Sequence, residues 1–402
     1  GFDEVVHIAE LNRFLFWIVF MVFDNSIISS PMLSCFCGKK EIFQMYIILY
    51  CIGGYIMQPV YTIFGEHNNH SRKDFSQFSS DDYVNEVMNA KLAPPEGLAA
   101  PLSIMWELTS KCKNRCIYCY NSSSPDRAEQ LSPKRMFSLA NEIIQMKPFH
   151  ICLTGGEPTE NPYYLDMMTL LTSYGMKVST ILSGANLNNK YINTIASCVD
   201  TLQVSLDGSC AEIHDKVRGR KGSFDEVMYA IKKFVAKGID VRASFASTRL
   251  NIDDFENTYN LCKELGITSL RTQSLARVGR AKCENGFSFY PSEGQVSRLE
   301  SFLHKNAKAK NPMVEYAEPY LHLTTGMDVG ITTLARITSS GDIGISPYLE
   351  AYFGNVNDEP FQDIWNRMKK GWHNPQMYEI AKKVAMDLDK MASPLDEKVY
   401  IQ

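Results

Sequence analysis

The sequence predicts an α/β protein built on a partial (β/α)6 TIM-like barrel. A small N-terminal α+β domain precedes the barrel and a C-terminal extension follows it. From Ser103 onward, short apolar runs alternate with segments of helical periodicity, six times in succession. Such units build a parallel sheet with right-handed crossovers. The composition also shifts along the chain. Residues 1–66 are apolar and aromatic, residues 67–100 are polar, and Ala93-Pro94-Pro95-Glu96-Gly97 reads as a linker. The expected domains are therefore 1–97, 98–310 and 311–402. Six units are too few to close an eight-stranded barrel. Periodicity by itself leaves an open doubly wound sheet as the alternative.

The elements follow in order. Residues 103–109 (SIMWELT) form the first strand. Ser132-Pro133 opens a helix as cap and first-turn proline, with Met136, Leu139, Ala140 and Ile143 on one face. Residues 150–154 (HICLT) are the second strand. The helix over 163–174 after it ends at Gly175, a left-handed cap. Strands at 177–183 and 201–206 come next, then a helix faced by Phe224, Val227, Met228, Ile231, Phe234 and Val235 and closed by Gly238. A strand at 240–246, a helix at 252–265 ending at Gly266 and a strand at 268–275 complete the set.

The chain has 402 residues, 45% of them apolar and 21% charged, which is a globular composition able to bury a large core. Its net charge of −4 argues against a nucleic-acid binder held by bulk positive charge. Eleven cysteines, an odd and scattered set, suggest a reducing, cytoplasmic setting with metal-bound or buried thiols. The nine-residue apolar run at 15–23 is too short to span a bilayer. The uncharged segment 42–65 is long enough, but Gly53-Gly54, Pro59 and two glutamines interrupt it. Membrane contact there is less favoured than a buried helix pair.

The strongest chemical signal is Cys112-x3-Cys116-x2-Cys119, directly after the first strand. Three thiolates on one short loop can hold three irons of a cubane and leave the fourth open. A zinc site, which usually takes four ligands in two pairs, is the alternative. Gly155-Gly156-Glu157-Pro158 ends the second strand. Two glycines there let backbone approach a ligand without a side chain between them. Parallel β-α units bring both loops to one rim.

With both motifs present, the chain resembles the radical S-adenosylmethionine (SAM) superfamily over roughly residues 101–279. The resemblance implies one [4Fe-4S] cluster on Cys112, Cys116 and Cys119, and SAM bound through its amino group near Gly155, Gly156, Glu157 and Pro158. Tyr118 sits where that family packs an aromatic against adenine. Ser183 ends the third strand, where many members have Thr-Asn-Gly. Ser205 and Asp207 match its Ser-x-Asp-Gly, Arg218 is the expected partner of the SAM carboxylate, and Ser244 is a ribose candidate. The implied chemistry is one-electron cleavage of SAM to methionine and a 5′-deoxyadenosyl radical that takes a substrate hydrogen. No substrate-directed catalytic residue is identifiable. On this reading a bulky residue at Gly155 or Gly156 should weaken SAM binding and leave the cluster in place.

Both ends bear on the substrate. Residues 337–343, with a turn at Ser340-Gly341, form a hairpin followed by a helix through Ile364-Trp365. This order resembles the SPASM or twitch extension of many radical SAM enzymes. No cysteine follows Cys283, and Asp328 and Ser346 stand at the aligned ligand positions, so a full auxiliary set is excluded by ligand count. The N-terminal region resembles the peptide-recognition element of ribosomal-peptide maturases, which adds a strand of leader peptide to its sheet. The resemblance thus implies a precursor peptide as partner, with a flavodoxin- or ferredoxin-type electron donor. Tetrapyrrole or sugar chemistry is the alternative, because Trp106-Glu107-Leu108-Thr109 is similar to a segment of tetrapyrrole enzymes in the superfamily.

Overall fold

The computed structural model describes residues 97–199, 201–276, 278–282, 289–317, 319–387 and 398–401. The expected N-terminal domain and the segment 42–65 lie outside these residues. Among those described, no helix is long and apolar enough to cross a membrane.

The six anticipated strands are β1 (Ser103–Glu107), β2 (His150–Thr154), β3 (Lys177–Leu182), β4 (Thr201–Ser205), β5 (Asp240–Ala246) and β6 (Ser269–Gln273). Each pairs in parallel with the next. A seventh, β7 (Met313–Ala317), continues the parallel series beyond β6. Four more strands, β8 (Leu334–Ile337), β9 (Asp342–Gly344), β10 (Ala351–Asn355) and β11 (Val399–Tyr400), join at the other edge. The result is one eleven-stranded sheet, ordered β11-β10-β9-β8-β1-β2-β3-β4-β5-β6-β7. Its two ends do not pair among the described residues, so the barrel stays open.

The C-terminal part is therefore not a separate layer. β8 lies parallel to β1, with Trp106 opposite Ile337, and the hairpin from β8 to β9 runs antiparallel as anticipated. The 310/311 boundary falls two residues before β7, a strand of the parallel sheet itself.

The helices cover the outer face. α1 (Pro133–Met146) begins at Ser132, whose hydroxyl accepts from the Arg135 amide. It buries Met136, Leu139, Ala140 and Ile143, the stripe its spacing predicts. α2 (Tyr164–Ser173), α3 (Asn189–Cys198), α4 (Ala211–Arg218), α5 (Ser223–Val235) and α6 (Phe255–Leu265) follow the successive strands. α7 (Glu293–Lys305) carries a full capping box at Ser292 and Gln295. α8 (Pro319–Val329), α9 (Phe361–Met368) and α10 (Pro375–Asp387) follow β7 and β10. Trp106 from β1 and Trp365 from α9 lie fully within one continuous core, which joins the two parts into a single hydrophobic unit.

Candidate active site

Parallel strands leave their C-terminal ends on one rim, and the loops there enclose a cavity of about 260 Å³. The cysteine loop forms one wall. Cys112, Cys116 and Cys119 all line the cavity, and every described cysteine is free. Burial pushes the Cys112 thiol up to about 12, helped by nearby Glu157. Burial likewise pushes Cys116 up to about 11, against the pull of Arg218. Among the described residues, no three or more Cys, His, Asp or Glu are arranged to hold a single metal ion. A cubane spreads three thiolates over three irons, so this trio suits a cluster better than a lone zinc.

The second loop supports the first. The Gly156 amide donates to the Thr109 carbonyl at 2.6 Å, and the Glu157 amide to that of Lys111 at 2.9 Å. A Cβ on Gly155, at φ +149°, would stand 2.6 Å from the Thr109 carbonyl oxygen, and one on Gly156 would overlap that of Lys111. These glycines do line the cavity. Their lack of side chains is also what lets the loop of the cysteines lie against them. A bulky residue at either glycine would therefore press on the cysteine loop as well as on the ligand seat.

Ten of the thirteen expected site residues line the cavity: the cysteines, Tyr118, Gly155, Gly156, Ser183, Ser205, Arg218 and Ser244. Ser205 and Ser244 face each other in register on β4 and β5. Glu157, Pro158 and Asp207 stand behind the wall. The Glu157 carboxylate accepts from the Ser183 amide at 2.8 Å and from the Ser183 and Thr159 hydroxyls. Burial still pushes its carboxyl up against those donors. Asp207 is fully buried. It accepts from the Tyr118 hydroxyl at 2.6 Å and the Ala246 amide at 2.8 Å, and lies 3.4 Å from the Arg218 guanidinium. Arg218 also donates to the Tyr118 hydroxyl at 2.7 Å. Asp207 therefore fixes Tyr118 and Arg218 in place.

Three features were not read from the sequence. Glu107 and Arg336 form a buried ion pair at 2.8 Å, across 229 positions of sequence, which no local pattern reveals. Tyr120 and Asn121, just after Cys119, both donate to that Glu107 carboxylate. Arg280 lines the cavity as well. The adjacent Gly279 is the one local signal for it.

A sheet of parallel strands with three cysteines on the loop after β1 and a diglycine after β2 is the arrangement of one large enzyme class. Residues 106–262 match the model of the radical SAM superfamily, so the chain carries that domain and is a radical SAM enzyme. Its cofactors are a [4Fe-4S] cluster and SAM. Mycofactocin maturase MftC of Mycobacterium ulcerans is 29% identical over 286 residues, covering 67% of this chain and 75% of that protein. The AdoMet-dependent heme synthase of Methanosarcina barkeri is 26% identical, over 66% of this chain and 82% of its own. PqqA peptide cyclase of Ruegeria pomeroyi is 28% identical, over 51% and 55%. Among solved structures, Streptococcus suis SuiB bound to precursor peptide SuiA shares the fold. Its TM-score is 0.56 at 14% identity, over 90% of this chain and 88% of that one.

Proposed function

We propose that this enzyme modifies a ribosomally made peptide at the cavity. Cys112, Cys116 and Cys119 would hold the cluster, and the residues lining the opposite wall would seat SAM. The site fits that content. Three thiols share one wall, and the buried Asn114 Nδ2 and Arg218 Nε beside them lack hydrogen-bond partners among the described residues. When bound, the cofactor pair supplies a carbon radical that takes a hydrogen atom from the substrate. The chain's own residues supply position and dryness. Arg218, held by Asp207 and Tyr118, presents a planar fork suited to a carboxylate. Ser205 and Ser244 offer hydroxyls from neighbouring strands. Ile181, Leu182, Phe245 and Leu275 give the wall apolar stretches that would help to exclude water.

The peptide reading is carried by the relatives whose names state one, the PqqA peptide cyclase and SuiB with its precursor. The 1–97 region would hold the leader, a flavodoxin or ferredoxin would supply electrons, and the setting would be cytoplasmic. The rival reading, a tetrapyrrole, is favoured by the heme synthase likeness. The test is anaerobic incubation of enzyme, SAM and reductant with a peptide of ~20 to 60 residues encoded beside it, the span of a leader-bearing segment. Mass spectrometry should show a hydrogen-loss or cross-link product on the peptide. An unmodified peptide together with turnover of a tetrapyrrole would reverse the assignment.

A further inference from the structure

A second cation stands against the cysteine loop, and the reading above leaves it without a role. Arg280 lies in the single turn Gly279–Ala281 after β6. Its Nε donates to the Cys116 carbonyl at 2.8 Å, and its backbone amide to the Cys119 carbonyl at 3.0 Å. Gly279, at φ +56°, packs so close that a Cβ there would overlap the carbonyls of Cys119 and Tyr120. The turn therefore clamps the Cys116–Cys119 stretch from the β6 side.

The clamp leaves one donor over. Arg280 lines the cavity, and its Nη2 is buried with no hydrogen-bond partner among the described residues. A guanidinium stays charged at any ordinary pH, and a buried donor without an acceptor is costly. No Asp or Glu lines the cavity among the described residues. A group filling the cavity could supply the acceptor, and the cysteine sulfurs share that wall. Arg218 differs in that Asp207 and Tyr118 already engage its Nη1, although its Nε is likewise without a partner among the described residues.

We propose that Arg280 is a positioning residue for the iron–sulfur cluster, clamping its loop by two carbonyls and donating through Nη2 to cluster or cysteine sulfur. This rests on Cys112, Cys116 and Cys119 being the ligands. A cation and N–H donor beside a cluster stabilise its more negative, reduced state, so Arg280 raises the reduction potential.

The experiment compares full-length, anaerobically reconstituted wild type, Arg280→Gln, Arg280→Lys and Cys116→Ala. Iron content and redox titration by electron paramagnetic resonance are measured without substrate. Arg280→Gln should keep its iron and show a midpoint potential more negative than wild type. A Gln variant with full iron and an unchanged potential overturns the proposal. If the Gln variant assembles no cluster, Arg280→Lys decides. Iron retained by Lys supports the need for a cation at this position, and iron lost in both variants means packing alone and overturns it. Full iron in Cys116→Ala would instead overturn the ligand assignment, whatever Arg280 does.

Discussion

Gly156 shows how one missing side chain serves two loops. Its amide donates to Thr109, and any Cβ would run into the Lys111 carbonyl just before Cys112. Gly156→Val should therefore reconstitute with clearly less iron per chain than wild type, as well as weaker SAM binding. Full iron with SAM binding lost would restore the simpler view of an open ligand seat. The same scale explains Asp207. Its carboxylate compensates the buried Arg218 cation and accepts from Tyr118. Removing one partner of a buried pair costs about 3–5 kcal/mol. Asp207→Ala should lower the unfolding free energy by about that amount, readable in a urea titration. The motif residues were legible as a set because cysteine spacing and paired glycines are rare combinations. Which of them face the cavity was not legible. The sequence places Glu157 and Asp207 beside the ligand, whereas both are consumed by protein donors.

At the scale of elements, one carboxylate reinforces the pairing of the C-terminal strand β11 with β10. Asp342 on β9 accepts from Lys398 at 2.6 Å and from Tyr400 on β11 at 2.6 Å, and also from Ser340 and Asn355. Burial alone would raise this carboxyl, yet the donors hold it at about 2. An unfolded aspartate titrates near ~3.9. A depressed folded value means the stabilisation is complete above about pH 4 and is lost as pH falls toward about 2. The Tm gap between wild type and Asp342→Asn should therefore close on acidification through that window. A gap that stays constant would remove Asp342 from this role. Strands and helices with apolar periodicity were read to within a few residues, Ser132 and Gly266 marking their ends. No element is read from the sequence at α3, α4, α7, α8, α10 or β7, and for α4 and β7 the reason is physical. α4 buries His214 and Arg218 beside Val217, and β7 buries Glu315 between Val314 and Ala317, so buried polar residues interrupt the apolar period of both.

At the scale of the molecule, β8 is the strand that ties the C-terminal part to the cofactor rim. Its Arg336 pairs with Glu107 on β1, and Glu107 in turn holds Tyr120 and Asn121 beside the third cysteine. Arg336→Ala would strand a buried carboxylate and should cost about 3–5 kcal/mol. The paired change Glu107→Gln with Arg336→Met should recover much of that loss in thermal denaturation. A single variant as stable as wild type would show the pair to be dispensable. Leu98, near the start of the described residues, is tied to the core. Trp365 donates to the Leu98 carbonyl at 2.9 Å, and Leu98 packs on the core. Removal of residues 1–96 should thus leave cluster assembly and SAM cleavage largely intact and lower the affinity for a leader-bearing peptide. A truncated enzyme that binds the leader as tightly as the full chain would exclude the peptide-recognition role.

The sequence by itself determined the α/β alternation, the three-cysteine loop, the diglycine and hence the enzyme class, because each is written in residues close together along the chain. Tertiary structure alone decided that the C-terminal strands extend the barrel sheet, that Glu107 meets Arg336, and that Arg280 closes on the cysteine loop. These contacts join residues 160 or more positions apart. Local periodicity carries no information at that range, and only strand order and the shared rim of a parallel sheet bring such residues together.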